Sequence, residues 1–500
     1  MRKILVLHPF LFAAFPILAL YANNMGELSF SETLVPLAVA LGSASLLLLL
    51  SWLVFRDIRR AGLIVSVFLM LFFISGYVRY YVLNTLNLPG VANWLLPTFF
   101  LGILGAGLYL SARARLNLRN WTTILNVTAV ALVLVSSINL GVYEIRRHDS
   151  NPAHGTPAMP LELDKPDVPP DIYYIILDGY ARADYLMEAH DYDNGAFTDY
   201  LSDRGFLVAS DSRSNYAVTH LSLASSLNME YIQVLVSQAT LASQDLKSLA
   251  KLVENNRVAN ILKSVGYQYI SFNTWCDPTR HSSQADLSID VSGKSLTPFQ
   301  RTLVETSLAG LVWHDTSYYG EHVIRSFDKL AEMPSIEGPK FVFAHIICPH
   351  WPFVFDADGR RIEPVDWRHD TDRVKKWLDQ ITFVNKKLEI MVDEILESSA
   401  APPIIILQGD HGPRGDIVGY RGDRYDPTEA TVQDAMEILN AYYLPERGKA
   451  ALYESISPIN TFRVILNLYF GAHLELLSDE SYYSDSWDRP LSLVNVTDKL

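Results

Sequence analysis

The segment from Ile404 to Asp416, IIILQGDHGPRGD, joins a run of four aliphatic residues to Asp410 and His411 with a glycine on either side. The run reads as a buried strand, and a carboxylate beside it is costly to bury unless something pairs with it. The same pattern recurs twice. The apolar stretch 172–177 (IYYIIL) leads directly into Asp178-Gly179, and 341–347 (FVFAHII) leads into Cys348-Pro349-His350. Carboxylates and imidazoles at neighbouring strand ends are a donor set for a divalent ion such as Mn²⁺ or Zn²⁺. Each motif alone has a plain alternative, since Asp-Gly commonly marks a turn and Asp-His-Gly a loop.

A metal site of this kind becomes a reaction centre when a nucleophile stands beside it. In SNYAVTHLSLASSLNMEYI, Ser214–Ile232, turn formers give way to a helical pattern at Thr219. A helix N-terminus presents unpaired amides that favour phosphate, and Thr219 sits there as either a nucleophile or an N-cap. A threonine hydroxyl is weakly nucleophilic near neutral pH and needs a base or a metal to activate it. Thr219 attacking phosphorus in line would give a phosphothreonine and release an alcohol, and a water or acceptor hydroxyl would resolve it.

The elements that must position these residues follow from periodicity. Strand-like runs at 172–177, 267–272, 341–347 and 404–407 alternate with helical patterns around 219–230, 245–264, 299–312, 371–398 and 458–469. Alternation of this sort predicts an α/β domain with a mainly parallel sheet flanked by helices. In such sheets ligands bind off the carboxyl ends of the strands, where these motifs stand. His345 falls inside its strand, so it is read either as a site contact or as a buried histidine with a hydrogen-bond partner. Arg182 and Asp184 read as site-lining residues or, more simply, as the surface start of a helix. DRVKKWLDQITFVNKKLEIMVDEIL reads as an amphipathic helix.

At 500 residues, 49% of them hydrophobic, the chain is longer and more apolar than one soluble domain. The excess lies at the N-terminus, where five apolar stretches, 4–21, 34–55, 61–82, 91–110 and 121–143, each approach the ~20 residues needed to cross a bilayer. The first could be a cleaved signal sequence, but four further spans follow it. Arg2, Lys3, Arg56, Arg59, Arg60, Arg113, Arg115 and Arg119 flank these stretches on one side, while loops 22–33 and 83–90 carry no Lys or Arg. By the positive-inside rule the N-terminus is cytoplasmic and the remainder after residue 143 is outside, periplasmic or extracellular. Arg146 and Arg147 are a minor counter-signal.

Three units are therefore expected: a five-span transmembrane domain (1–143), a Pro-rich linker (144–170) and a catalytic domain (171–500). The first holds 9 Lys+Arg against 3 Asp+Glu, and the rest of the chain holds 32 against 52. So acidic an outer portion argues against a nucleic-acid partner. Cys276 and Cys348 could pair in an oxidising compartment, but two cysteines do not build a fold.

Four segments taken in order, PDIYYIILDGYARADYL, SNYAVTHLSLASSL, FVFAHIICPHWPF and IIILQGDHG, resemble the sulfatase-like branch of the alkaline phosphatase superfamily. With five spans before an outward domain, the chain is similar to membrane-anchored lipoteichoic acid synthases and phosphoethanolamine transferases. The motif resemblance covers roughly residues 170–445. It implies that Asp178, Thr219, Asp410 and His411 hold one divalent ion, Mn or Zn first and Mg or Ca as alternatives, with Thr219 also the nucleophile. It places His350 against the phosphoryl or sulfuryl oxygens. Two departures stand out. THLSLA lacks the proline and arginine of true sulfatases, which speaks against a sulfate ester. In SFNTWCDPTRHSSQAD, the resemblance offers Trp275 and Arg280, with His281, as substrate-binding residues comparable to the histidine and Trp-x-Arg element of lipoteichoic acid synthases, but at a different spacing.

The expected function is a phospho-group transferase that takes a lipid-linked donor and a cell-envelope glycan or lipid acceptor at the membrane surface. Hydrolysis of a phosphodiester or sulfate ester is the alternative within the same chemistry. A catalytically inactive membrane scaffold or sensor is the alternative outside it.

Overall fold

The computed structural model describes residues 5–24, 30–84, 91, 95–113, 117–149, 161, 163–244, 246–275, 277–291, 296–311, 313, 316–365, 370–419, 425–445, 448–484 and 489–500. The chain divides into two compact units, one of residues 1–151 with 295–315, the other of 152–294 with 316–500.

The first unit is helical: α1 (His8–Asn23), α2 (Leu34–Phe55), α3 (Ile58–Asn84), α4 (Leu96–Arg113) and α5 (Leu118–Asp149). Three segments are long and apolar enough to cross a membrane, Phe30–Phe55, Ile58–Arg79 and Leu118–Val142, and two shorter apolar helices are His8–Asn23 and Leu96–Gly107. The first expected span is thus cut short, because α1 begins only at His8-Pro9. Its start is held by Asn126 of α5, whose side-chain oxygen accepts from the amides of Leu7 (3.1 Å) and His8 (2.9 Å). Donors at a helix start have no partner within the helix, and here a neighbouring span supplies one. Leu46, Leu49, Leu50, Val54, Val127, Val135 and Ile138 stand exposed on α2 and α5. Apolar faces of that extent suit a lipid surround rather than water.

Residues 295–315 belong to this unit, although the sequence predicts the helix around 299–312 within the outer domain. That stretch is a short helix, Pro298–Glu305, closed by a Thr297/Gln300 capping box, followed by a 3-10 turn at Leu308–Leu311. Phe299 packs with Ile17, Leu20 and Tyr21 of α1.

The second unit is built on a seven-stranded sheet: β1 (Ile172–Leu177), β2 (Leu207–Val208), β3 (Gln268–Asn273), β4 (Leu287–Asp290), β5 (Lys340–Ile346), β6 (Ile404–Gly409) and β7 (Asn440–Tyr443), in the order β2-β7-β6-β1-β5-β3-β4. The five strands from β6 to β4 run parallel; at the β6 edge β7 pairs antiparallel to β6, and β2 pairs antiparallel to β7. β1, β5 and β6 are buried at every position, which is why they read as unbroken apolar runs.

Alternation sends successive side chains to two cores. On one face Tyr173, Ile175, Val342, Ala344 and Leu407 meet Trp377, Ile381, Val384 and Leu388 of the helix Arg373–Ser398 and Val323 and Phe327 of the helix Ser317–Glu332. On the other, Tyr174, Ile176, Phe343 and Ile406 meet Leu221, Leu223 and Leu227 of the helix Thr219–Asn228 and Phe462 and Ile465 of the helix Pro458–Phe470. His345 shares the parity of Phe343 and therefore faces the Thr219 helix. The expected helix at 245–264 is two helices, Lys247–Glu254 and Arg257–Ser264, because the Asn256 side chain caps the second by accepting from the amide of Ala259.

Candidate metal centre

Parallel pairing aligns β1 between β5 and β6, with Leu177 opposite Ile346 on one side and Gly409 on the other. Asp178, the Cys348-Pro349-His350 turn and Asp410-His411 therefore leave the sheet at one level. The turn after β1 is tied to both neighbours. The Asp178 amide donates to the carbonyl of Ile346 at 3.0 Å, the His350 amide donates to the carbonyl of Asp178 at 2.9 Å, and Trp377 Nε1 donates to the carbonyl of Gly179 at 3.2 Å. Gly179 takes φ +73°, a left-handed conformation that a side chain would strain. At Gly409 an added Cβ would stand 2.3 Å from the carbonyl oxygen of Tyr180, so that glycine lets the two strand ends close together.

Asp410 is fully buried and its two oxygens have different fates. Oδ1 accepts from the amides of Gly179 (3.1 Å) and His411 (3.0 Å), while Oδ2 has no hydrogen-bond partner among the described residues. Asp178 Oδ1 is likewise buried without a hydrogen-bond partner among them. Between them lies Nε2 of His411, 3.5 Å from each of these oxygens. His411 Nδ1 donates to the carbonyl of Gly412 at 2.7 Å, which leaves Nε2 of the neutral ring as a lone pair. Burial, reinforced by the nearby Arg414 cation, pushes the His411 pKa down and so favours that neutral ring. Thr219 Oγ1 completes the group at 3.2 Å from Nε2.

Two bare carboxylate oxygens and an imidazole lone pair facing one another repel unless a cation stands among them. The spacing suits one: ligands held about 2.0–2.1 Å from a tetrahedral ion are separated by roughly 3.3–3.4 Å. Asp178, Asp410, His411 and Thr219 thus form a donor set that fits a divalent cation. Potential ligand atoms also converge in two overlapping triplets, Asp178-His345-Asp410 and Asp178-His350-His411, each with its atoms within 4.8 Å of one another.

His345 is both a buried strand histidine and a neighbour of the centre. Its Nε2 lies 3.3 Å from Asp178 Oδ2, an electrostatic contact outside hydrogen-bond alignment, and its Nδ1 is 3.0 Å from Thr279 Oγ1. Thr279 is bonded in turn to Thr274 at 2.9 Å. Burial alone would raise the pKa of Asp178, but His350, His345 and His411 outweigh it and hold the carboxyl well below the usual range.

His350 stands over this group, its ring centroid 5.8 Å from that of His411. Its Nδ1 is 2.8 Å from the carbonyl of Trp351, and its Nε2 is 3.2 Å from Asp416 Oδ2. Burial disfavours the imidazolium, yet Asp178 and then Asp416 more than compensate and lift its pKa to about 9. Arg414 joins the same cluster. Its Nη2 lies 3.3 Å from His350 Nε2 and 3.5 Å from Asp416 Oδ2, and its Nη1 donates to the carbonyl of Ala217 at 3.1 Å.

Trp275 and Arg280 lie on the loop after β3, and the contacts described for them are with Tyr318 and Tyr319 and with each other. Trp275 packs edge-on against Tyr318 and Tyr319, and Arg280 Nη2 donates to the Trp275 carbonyl at 3.4 Å. His281 is exposed. Among the described residues of this loop, Thr279 reaches the centre through His345, and Asp277 Oδ2 lies 3.5 Å from Nε2 of His220, next to Thr219. Cys348 is a free, buried thiol, and Cys276 lies outside the described residues.

No family model and no curated protein sequence matches the chain. Among solved structures it is similar to the integral membrane protein lipooligosaccharide phosphoethanolamine transferase A of Neisseria meningitidis, at 13% identity and a TM-score of 0.45, over 93% of this chain and 95% of that one. It is also similar to the C-terminal periplasmic domain of EcEptC from Escherichia coli in complex with zinc (10% identity, TM-score 0.46, 67% of this chain and 95% of that chain). A third similarity is to the C-terminal periplasmic domain of phosphoethanolamine transferase EptC from Campylobacter jejuni (10% identity, TM-score 0.38, 61% and 91%). These identities and scores assign no function to the chain.

Proposed function

We propose that this protein is a multi-pass inner-membrane enzyme that uses Thr219 and one divalent ion to transfer a phospho-group from a lipid-linked donor to a cell-envelope glycan or lipid. The observation that carries the reading is the 3.2 Å approach of Thr219 Oγ1 to His411 Nε2, beside two buried carboxylate oxygens with no other described hydrogen-bond partner. Five spans, with the domain that holds the site on the periplasmic side, accord with the arginine distribution and with the apolar helices. Membrane residence favours a lipid donor, because such a substrate is presented at the bilayer surface.

Asp178, Asp410, His411 and Thr219 would hold the ion, with Zn²⁺ or Mn²⁺ first on the chemistry of the donors. When bound, it would lower the pKa of the threonine hydroxyl and offset charge on the phosphoryl oxygens. Thr219 Oγ1 then attacks phosphorus in line; the P–O bond to the first alcohol breaks as the Thr–O–P bond forms. His350, cationic near neutral pH, stabilises the oxygens of the transferring group and can return a proton to the departing alkoxide. An acceptor hydroxyl reverses the step and frees Thr219. Water in the acceptor's place makes the same site a hydrolase, so the acceptor decides the name.

The test is to trap the intermediate. Candidate phospholipid donors are incubated with the full chain, and the peptide carrying Thr219 is examined by mass spectrometry for the donor's phospho-headgroup. An adduct absent from wild type, together with full activity in Thr219→Ala, rules the mechanism out.

A further inference from the structure

The apolar stretch 61–82 carries a single charged residue, Arg79, close to its end. A guanidinium is costly in hydrocarbon and settles at the level of the lipid headgroups. The membrane-long part of α3 accordingly runs from Ile58 to Arg79. Arg59 and Arg60 mark the first end as cytoplasmic, so Arg79 stands at the outer interface. Helix α4 starts again from that interface at Leu96 and runs back toward Arg113.

Between the outer halves of these two helices lies a groove of about 480 Å³, inside the ~300–1,000 Å³ range of ordinary ligand sites. Its walls are Phe68 and Phe72 of α3, Phe100 and Leu104 of α4, and Leu308 and Leu311 of the 3-10 turn. Every residue that lines it is apolar. The turn can form the third wall because of Gly76. A Cβ there would stand 2.1 Å from the carbonyl carbon of Thr306, so a larger residue would push the segment away. Toward Arg79 the groove continues into a small recess, which shares Pro97, Phe100, Leu308 and Leu311 with it and adds Ser75, Arg79 and Ser307. Ile74, Phe99 and Leu101 around the groove are exposed, which in this unit means facing lipid.

Length decides what fits. From Phe68 to Arg79 the helix rises about 16 Å at ~1.5 Å per residue, about half of the ~30 Å hydrocarbon core. The groove thus takes in one leaflet, the outer one, as a single acyl chain does. A helix from a second copy would cross both leaflets. The polar end matches as well, since a phospholipid carries its phosphate at the depth where Arg79 stands. A guanidinium has five donors and can hold a phosphate oxygen alongside a partner within the protein.

We propose that this groove is a phospholipid site of the outer leaflet, with one acyl chain between α3, α4 and the Leu308–Leu311 turn and the phosphate at Arg79. The chain fills the space between the turn and the two helices and keeps the turn docked. The inference goes beyond the transfer reading and does not depend on it, because a resident lipid belongs to the membrane unit whatever the outer domain transfers.

The experiment uses the full chain in phosphatidylcholine nanodiscs that contain a small fraction of phosphatidylcholine with a diazirine on one acyl chain. After irradiation, mass spectrometry reads the label at Leu308–Leu311 and at Leu46–Val54, an exposed stretch of α2 that any bilayer lipid touches. The first is expected to exceed the second several-fold. Ala309→Trp and Leu104→Trp fill the groove from two different walls, and each should lower label at the turn on the order of tenfold while leaving α2 unchanged. Should both variants fail to fold, the wild-type ratio alone decides. A diazirine diacylglycerol, which lacks the phosphate, should label the turn several-fold less than the phospholipid, and Arg79→Gln should abolish that difference. Equal label at the turn and on α2 means ordinary bilayer contact and overturns the inference, as does undiminished label at the turn in folded tryptophan variants. Absence of label at the turn also overturns it, and is the result expected if a helix of a second copy covers the groove. Equal labelling by the two probes in wild type overturns the place of the phosphate.

Discussion

Thr219 Oγ1 and His411 Nε2 lie 3.2 Å apart although 192 residues separate them in the chain. The helix Thr219–Asn228 brings the hydroxyl and the end of β6 brings the imidazole, and the helix packs on the sheet face to which Ile404 and Ile406 of β6 point. Because the imidazole donates from its other nitrogen to Gly412 and burial favours its neutral form, it cannot donate to the threonine; its one lone pair accepts from the hydroxyl or, with the proposed ion bound, is given to that ion beside it. Thr219→Ser keeps the hydroxyl and is expected to retain turnover within about tenfold, whereas isosteric Thr219→Val removes the nucleophile and should lower the rate by on the order of 10³-fold or more. Initial rates with one donor, measured at matched metal content, check this.

The two buried carboxylate oxygens without a hydrogen-bond partner among the described residues, Asp178 Oδ1 and Asp410 Oδ2, make metal removal a stability experiment as well as an activity one. An ion that binds the folded chain and not the unfolded one raises the melting temperature by mass action. Dialysis against a chelator is expected to lower the thermal midpoint by several degrees, and Zn²⁺ or Mn²⁺ should restore it. The Asp178→Asn/Asp410→Asn variant has no repelling carboxylates left, so its midpoint should respond neither to chelator nor to metal. A wild-type midpoint indifferent to both would sink the metal centre.

What the sequence made legible divides along a physical line. β1, β5 and β6 are buried on both faces, so their composition alone marks them, and Asp178, His350, Asp410 and His411 stand out as polar residues just past them. β4 alternates between partly buried and exposed positions, and β2 is two residues long, so neither carries a periodic signal. Thr279, Arg414 and Asp416 are ordinary loop residues until tertiary packing sets them beside His345 and His350. A glance at the spacing in DHGPRGD could have raised Arg414, since its arginine falls three residues after His411. The docking of residues 295–315 on the helical unit was hidden because Phe299 looks the same whether it packs on a sheet or against Ile17 and Tyr21.

Beneath the end of β5, His322 is fully buried and its Nε2 accepts from the amide of Ile347 at 3.4 Å. Burial, with a smaller push from His345, lowers its pKa from 6.5 to about 3. The unfolded chain binds a proton at this residue below about 6.5, and the folded chain does so only near 3. Its contribution is therefore intact above pH 6.5 and is lost as pH falls toward 3, by about 1.4 kcal/mol per pH unit in that window. Gln in its place keeps an acceptor and does not titrate. His322→Gln should match or trail wild type in melting temperature at pH 7.5 and gain on it steadily between pH 6.5 and 4.5. Parallel pH profiles would exclude the assignment.

Arg182 shows how a residue that reads as a surface helix start can be structural instead. It is 7% exposed and holds Asp184 in a bidentate pair at 2.6 and 2.8 Å. It also donates to the carbonyl of Ser212 at 2.9 Å and pairs with Glu437 at 3.2 Å. Burial pushes the Glu437 carboxyl up, with Arg182 as the main opposing influence. Removing the arginine strands Glu437 and the Ser212 carbonyl, and breaking a buried pair from one side costs about 3 kcal/mol. Arg182→Ala should lower the thermal midpoint by several degrees without changing zinc content, and Arg182→Lys should recover only part because a single ammonium cannot reproduce the fork. In Arg182→Met/Glu437→Met no buried charge is left alone, so its midpoint should lie above that of Arg182→Ala. A double variant as unstable as the single one would mean that the loss comes from packing around the arginine stem and not from the stranded carboxylate.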